Sequence, residues 1–429
     1  MKKVCLMMFV CVALAATVAL TAKPQGNLFE GELEEVNFKA PEFPRPVQLM
    51  PGGQPAESAG AGGGIAASAA GAANPAETRP GLPPAPQGGS AAEQGPELRS
   101  TGITWINSRP LTMEKLRGKV VLIDFWEYTC INCIRTFPGN KKWYARYHKY
   151  GFEIIGVHDP EFHIAYSVNN VREAVKRLRL PYPVVVDDKF EIWNRYHSDS
   201  WPNRFLIDAH GMVRYHRVGE GGDSAFEHAI QKLLQEAHPG LKFPASYAIP
   251  AESDAVGPEC GIQTAEMYVG QWGERGILSN PEGYHDGKTI DYKLPASVED
   301  GHVILAGRWK TNKNGMIYEG KKRGSAPGEL EMRYHAREIY SVMNVSRGRP
   351  SRLYITQDGK DLTRQNKGVD VRFDAQGHSY IDVRESRMYY LVQNPAFGSH
   401  GIVLTPTAPG ITINSFTFGN NCQTDFDHL

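Results

Sequence analysis

Val120-Val121-Leu122-Ile123-Asp124-Phe125-Trp126, running on through Glu127-Tyr128-Thr129 into Cys130-Ile131-Asn132-Cys133, decides the fold. The first seven residues, apolar but for one carboxylate, have the length and continuity of a strand buried on both faces. Residues 131–150 read as a helix, with a kink expected at Pro138. A buried strand that turns directly into a helix is the unit of a layered α/β fold. Two cysteines stand at that turn.

A CxxC pair is either a redox dithiol or half of a zinc site. Zinc needs a second ligand pair, yet Cys260 and Cys422 stand far apart and no second CxxC or HxxxH exists. No metal and no cofactor is therefore expected. A helix N-terminus offers free N–H groups and a positive dipole end, so Cys130 is favoured as thiolate, the species that attacks disulfides. Cys133, one turn on, can be more buried and resolve the mixed disulfide. Its proton then needs an acceptor, and Asp124 on the buried strand is the natural one, because burial raises a carboxyl toward neutrality. The plainer reading of Asp124 is a satisfied strand-end carboxylate.

Further strands fit residues 152–157, 183–186, 204–208 and 213–218, and helices fit 168–179 and 225–237. Outward from this block the composition changes. Residues 51–98 hold mostly Gly, Ala, Pro, Ser, Gln and Glu and cannot bury enough surface to offset their ordering entropy. Residues 23–98 are read together as a disordered low-complexity tether. Lys2 and Lys3 followed by an apolar run from Val4 to Leu20 and Thr21-Ala22 read as a secretory signal over 1–22, with an uncleaved anchor as the alternative. Either way the remainder lies outside the cytoplasm, periplasmic or secreted. Val10 before Cys11 argues against lipidation. Lys+Arg and Asp+Glu both number 47, so nucleic acid is not an expected partner.

Past Cys260 the helical signal disappears. Leu330, Met332 and Tyr334 alternate with charged residues, as do Val369, Val371 and Phe373. About ten short strands punctuated by Gly, Asn, Asp and Pro predict an antiparallel β-sandwich. The domain boundaries read as 99–240 for the α/β unit, 241–259 for a linker and 260–422 for the sandwich.

Asp124-Phe125-Trp126, Cys130-Ile131-Asn132-Cys133 and Pro138 together resemble the thioredoxin superfamily. That resemblance implies a cis-proline facing the dithiol, and Pro202 in Trp201-Pro202-Asn203-Arg204 fits. Trp126 and Trp201 would then pack beside the dithiol in the substrate groove. Trp126 through Pro138, Val157-His158-Asp159-Pro160-Glu161-Phe162 and Gly219-Glu220-Gly221 narrow the match. They resemble the soluble C-terminal region of DipZ-type proteins, a TlpA/redoxin-like domain followed by a jelly roll like a carbohydrate-binding module. Glu161 is an auxiliary candidate, to tune the dithiol, meet a partner or fix the Asp159-Pro160 turn. Peroxidases of the redoxin group carry Thr or Ser three residues before their cysteine and Pro four residues earlier still. Glu127 and Ile123 stand there, against a peroxidase. DipZ-type proteins also carry a membrane-embedded electron-transfer domain, so a separate membrane donor resembling CcdA or DsbD is expected here. In the jelly roll, glycan is a further partner, with Trp272, Trp309, Tyr284 and Tyr318 as stacking candidates. Cys260 and Cys422 open and close that domain and either form a disulfide or remain two free thiols.

The expectation is an exported thiol-disulfide oxidoreductase that reduces or isomerises disulfides of envelope proteins. The alternative is a glycan-binding envelope protein with a vestigial redox domain.

Overall fold

The computed structural model describes residues 33–44, 103–247, 263–270, 277–323, 327–345 and 350–419. The signal segment, most of the tether, Cys260, Trp272 and Cys422 lie outside the described residues.

The first half contains β1 (Glu34–Lys39), β2 (Thr104–Ile106), β3 (Val120–Trp126), α1 (Ile131–Tyr147), β4 (Phe152–His158), α2 (Val168–Arg177) and β5 (Val184–Val186). It continues with α3 (Glu191–Tyr196), β6 (Asn203–Ile207), β7 (Met212–Val218) and α4 (Asp223–Ala237). The strands form one mixed sheet in the order β1-β7-β6-β3-β4-β5-β2, with β3 parallel to β4 and antiparallel to β6. All seven β3 residues are buried, and alternation sends them to two layers. Val120, Leu122 and Trp126 join the core that holds Phe137, Trp143 and Ile230 of α1 and α4. Val121, Ile123 and Phe125 join a second core with Ile192, Trp193 and Phe205. The same period of two turns Asp124 toward α1.

Two elements carry no pattern the sequence reading could use. Residues 33–44, inside the expected tether, instead supply β1, which pairs antiparallel with β7, while Ala40 and Phe43 are buried. Most β1 side chains stay in solvent, so no apolar alternation marks the strand. The six-residue α3 is too short for periodicity. Asp187 starts it by accepting the backbone N–H groups of Glu191, Ile192 and Trp193 at 2.8, 2.8 and 2.9 Å.

The second half is all β: β8 (Met267–Tyr268), β9 (Thr289–Tyr292), β10 (Val303–Asn312), β11 (Gly315–Tyr318), β12 (Glu329–Val345) and β13 (Ser351–Gln357). Then follow β14 (Lys360–Asp361), β15 (Arg372–Phe373), β16 (Ser379–Val383), β17 (Arg387–Pro406) and β18 (Ile411–Gly419). Every ladder between these strands is antiparallel. The long β12 changes partners partway. Its start pairs with β10, and from Glu338 onward it pairs with β18, after a register shift between Ala336 and Glu338. Bulges of this kind kink a strand and sharpen its twist. Beyond the bend, Tyr340 and Val342, with Met388 of β17, leave the β core and join the core around the CxxC helix. The two halves thus share one apolar cluster.

One substitution tests how tightly that cluster is packed. A Cβ on Gly156 of β4 would stand 2.8 Å from Nε1 of Trp126 and 3.3 Å from Cγ2 of Val184. Gly156→Ala is expected to destabilise by about 1–3 kcal/mol, the range for overpacking a filled core. Urea unfolding measures it, and a wild-type midpoint would show that Trp126 has room to move.

Candidate active site

Cys130 is the N-cap of α1, with extended φ −81° and ψ 111°, and its Sγ accepts the N–H of Cys133 at 3.2 Å. The two cysteines are joined as a disulfide with Cα atoms 5.3 Å apart. Cys130 is partly exposed, whereas Cys133 is fully buried. An attacking sulfur open to solvent and a resolving sulfur behind it are the two parts a dithiol exchange needs.

The turn that presents Cys130 is built on Glu127. Its carboxylate accepts the N–H of Thr129 at 2.6 Å and the Thr129 hydroxyl, and its carbonyl accepts the N–H of Cys130 at 3.3 Å. The other carboxylate oxygen lies 3.7 Å from Nε2 of His158. The His158 ring is stacked on Tyr128 and edge-on to Trp126. Glu127 and His158 are both buried, a polar pair under the active turn that the sequence reading did not connect.

Asp124 faces α1, the helix that begins at the dithiol. Its Oδ2 accepts Nδ2 of Asn140 at 2.8 Å, and its Oδ1 is buried without a hydrogen bond among the described residues. Asn140 follows Cys133 by two helical turns, so both face the same layer as Asp124. Burial pushes the Asp124 carboxyl up to about 7, against the opposing charge of Arg204 and the Asn140 hydrogen bond. Arg204, opposite Asp124 in the β3–β6 ladder, is itself fully buried and donates to the carbonyls of Gly219 and Gly221 at 3.2 and 2.9 Å. A lone arginine inside Asn203-Arg204-Phe205-Leu206-Ile207 was the available signal for it.

The Trp201–Pro202 peptide bond is cis. Phe125 pairs with Asn203, so Pro202 falls at the end of β6 beside the end of β3 that leads to Cys130. The N–H of Gly219 donates to the Pro202 carbonyl at 2.8 Å and ties that loop to the one bearing Glu220. Trp201 packs on Trp193 with ring centroids 4.6 Å apart, and Trp126 is wholly enclosed against Phe137 and His158.

Glu161 reaches away from its own loop. It accepts the hydroxyl of Tyr268 from β8, across the boundary between the halves. Burial first, and then the nearby Glu266 and Glu127, hold its carboxyl well above the usual range. The stacking candidates divide differently. Trp309 and Tyr318 are enclosed in the β core and Trp309 spends its N–H on the Ala306 carbonyl at 2.8 Å, so neither can lie flat on a sugar. Tyr284 is partly buried on the same core. Among the described residues no helix is long and apolar enough to cross a membrane.

Residues 98–216 match the family model described as AhpC/TSA family, and residues 264–419 match the Thioredoxin like C-terminal domain. Protein DipZ of Mycobacterium bovis is 32% identical over 331 residues, covering 76% of this chain and 42% of DipZ. The chain thus spans less than half the length of that relative. Thiol-disulfide oxidoreductase ResA of Bacillus cereus is 30% identical over 139 residues, covering 32% of this chain and 78% of ResA. A crystal structure of a thiol-disulfide isomerase from Corynebacterium glutamicum is 24% identical, with TM-score 0.29, over 30% of this chain and 90% of that one.

Proposed function

The chain belongs to the family of thioredoxin-like thiol-disulfide oxidoreductases, and from that premise we propose that it exchanges disulfides of proteins outside the cytoplasm through Cys130 and Cys133. The observation that carries this reading is the unequal pair: Cys130 at a helix N-cap and open to solvent, Cys133 buried behind it.

In the reducing direction the thiolate of Cys130 attacks one sulfur of a partner disulfide. A mixed disulfide forms, and the partner's other sulfur leaves as a thiolate that takes a proton from water. Cys133 gives its proton to Asp124, whose value near neutrality suits it to accept at pH 7. The Cys133 thiolate then attacks Sγ of Cys130, the Cys130–Cys133 disulfide closes, and the partner's second sulfur leaves as a thiolate that takes up the proton held by Asp124. Two electrons have passed from the dithiol to the partner. Pro202 and the Gly219–Gly221 backbone border the groove, with Trp201 beside it. A membrane dithiol donor of the CcdA or DsbD kind would return the two electrons, and the basic, apolar N-terminus would deliver the chain to the same side of the membrane. Disulfides of envelope proteins are then the substrates.

Equilibrating the chain in glutathione buffers and following tryptophan fluorescence tests the reading, with Cys130→Ser as control. A potential between about −270 mV, as for thioredoxin, and about −120 mV, as for DsbA, is expected, and its position tells reductant from oxidant. A native chain as inert as Cys130→Ser sinks the proposal.

A further inference from the structure

Arg135 lies on α1, two residues past Cys133, with its side chain 8% exposed. Its guanidinium reaches Oδ1 of Asn132 at 3.3 Å and Oε1 of Glu220 at 3.1 Å within the first half. From the second half it meets Oε2 of Glu338 at 3.2 Å and the Tyr340 hydroxyl at 3.3 Å, with the Tyr340 ring 5.6 Å away. Tyr340 donates to the same Glu338 oxygen at 2.5 Å.

We infer that Glu338 and Tyr340 of the β domain are positioning residues of the redox centre, fixing Arg135 and through it Asn132, which stands between the two cysteines. The inference rests on the redox reading proposed above.

The geometry leaves little freedom for another role. Asn132 and Arg135 are three positions apart on one helix and so share its side. That helical turn is the one whose free N–H groups face Cys130. A guanidinium so enclosed needs counter-charges, and half of its supply comes from the β domain. The β12 bend aims Glu338 there, and Gly419 of β18 leaves the space. A Cβ on Gly419 would stand 2.4 Å from Oε2 of Glu338 and 2.8 Å from Nη2 of Arg135. Through Glu220 the same cluster also holds the loop bonded to Pro202. The start of the dithiol helix and the loop bonded to Pro202 are therefore both anchored on one arginine.

The sign of the effect follows from charge. With Glu338 neutral, Arg135 loses one of its two carboxylate partners and keeps Glu220, and the dithiol helix start becomes more positive. A more positive surrounding stabilises a thiolate and hence the reduced dithiol.

The test uses the full chain and two readouts: the equilibrium constant with glutathione and the pH profile of Cys130 alkylation. Glu338→Gln is expected to shift the equilibrium toward the dithiol by about threefold or more and to move alkylation to lower pH. Tyr340→Phe, which removes only a hydroxyl, should shift the equilibrium by a smaller factor. Glu385→Gln breaks the 3.3 Å pair with Arg177, another contact between the halves, at an exposed site and should change neither readout. If the folded Glu338→Gln and Tyr340→Phe chains both keep the native equilibrium and profile, the inference is overturned. If Glu338→Gln does not fold, an unchanged Tyr340→Phe overturns it alone. An equal shift in Glu385→Gln also overturns it, since any loosening of the halves would then suffice. A native chain that exchanges no thiols marks instead the failure of the redox reading beneath it.

Discussion

Cys133→Ser is expected to arrest exchange halfway, leaving a stable mixed disulfide between Cys130 and its partner. The first attack needs only Cys130, which caps the N-terminus of α1 and is partly exposed. The second needs a sulfur held behind it, and no other cysteine lies among the described residues. Turnover of a protein disulfide should fall by about a thousandfold or more, the scale on which losing a covalent participant acts. Non-reducing mass spectrometry should show close to one partner per chain with Cys133→Ser and none with Cys130→Ser. If Cys130→Ser captures partner instead, the roles of the two sulfurs are exchanged and the exposure argument is wrong.

The second large effect concerns Asp124 and is one of stability as well as rate. Its carboxyl is raised from 3.8 to about 7, through burial above all. Below pH 3.8 it is protonated whether the chain is folded or not, and the raised value costs nothing. Between about 4 and 7 the unfolded chain releases this proton while the folded chain keeps it, so stability falls as pH rises. Above 7 the full penalty of a buried anion is present. The shift corresponds to roughly 4 kcal/mol at 1.36 kcal/mol per unit. Asp124→Asn keeps the shape and removes the charge. Compared with the native chain it should be of similar stability at pH 4 and more stable at pH 8 by up to about 4 kcal/mol. Resolution of the mixed disulfide should slow near pH 7, because Cys133 has lost its proton acceptor. Equal urea midpoints at pH 8, together with unchanged resolution, would rule out the buried-base reading.

How far these features were legible depends on whether they are local. The β3–α1 junction was, because a continuous apolar run and a CxxC pair are both patterns of neighbours in sequence. Asp124 could be placed for the same reason, six residues before Cys130 on a strand whose alternation fixes its side. The antiparallel strands of the second half announced themselves through alternation at Leu330, Met332 and Tyr334. Arg135, Glu220, Glu338 and Tyr340 could not be joined by any such rule. Each is an ordinary charged or aromatic residue until the β12 bend brings them together. Trp309 and Tyr318 mark the opposite limit, since an aromatic residue in a strand has the same sequence signature whether it faces a sugar or the core. Strand β1 escaped because most of its side chains stay in solvent, so no apolar alternation marks it.

The Arg135–Glu338 contact joins residues 203 positions apart, and this separation is also an interval of time. At about 5–20 residues per second of synthesis, roughly 10–40 s pass between the appearance of the arginine and of its carboxylate. Through that interval Arg135 and, later, Glu220 have been made while Glu338 has not. A nascent chain that met oxidant or thiol then would lack Tyr340 and Val342 as well as Glu338, and its dithiol would take on its mature surroundings only when the last strands docked.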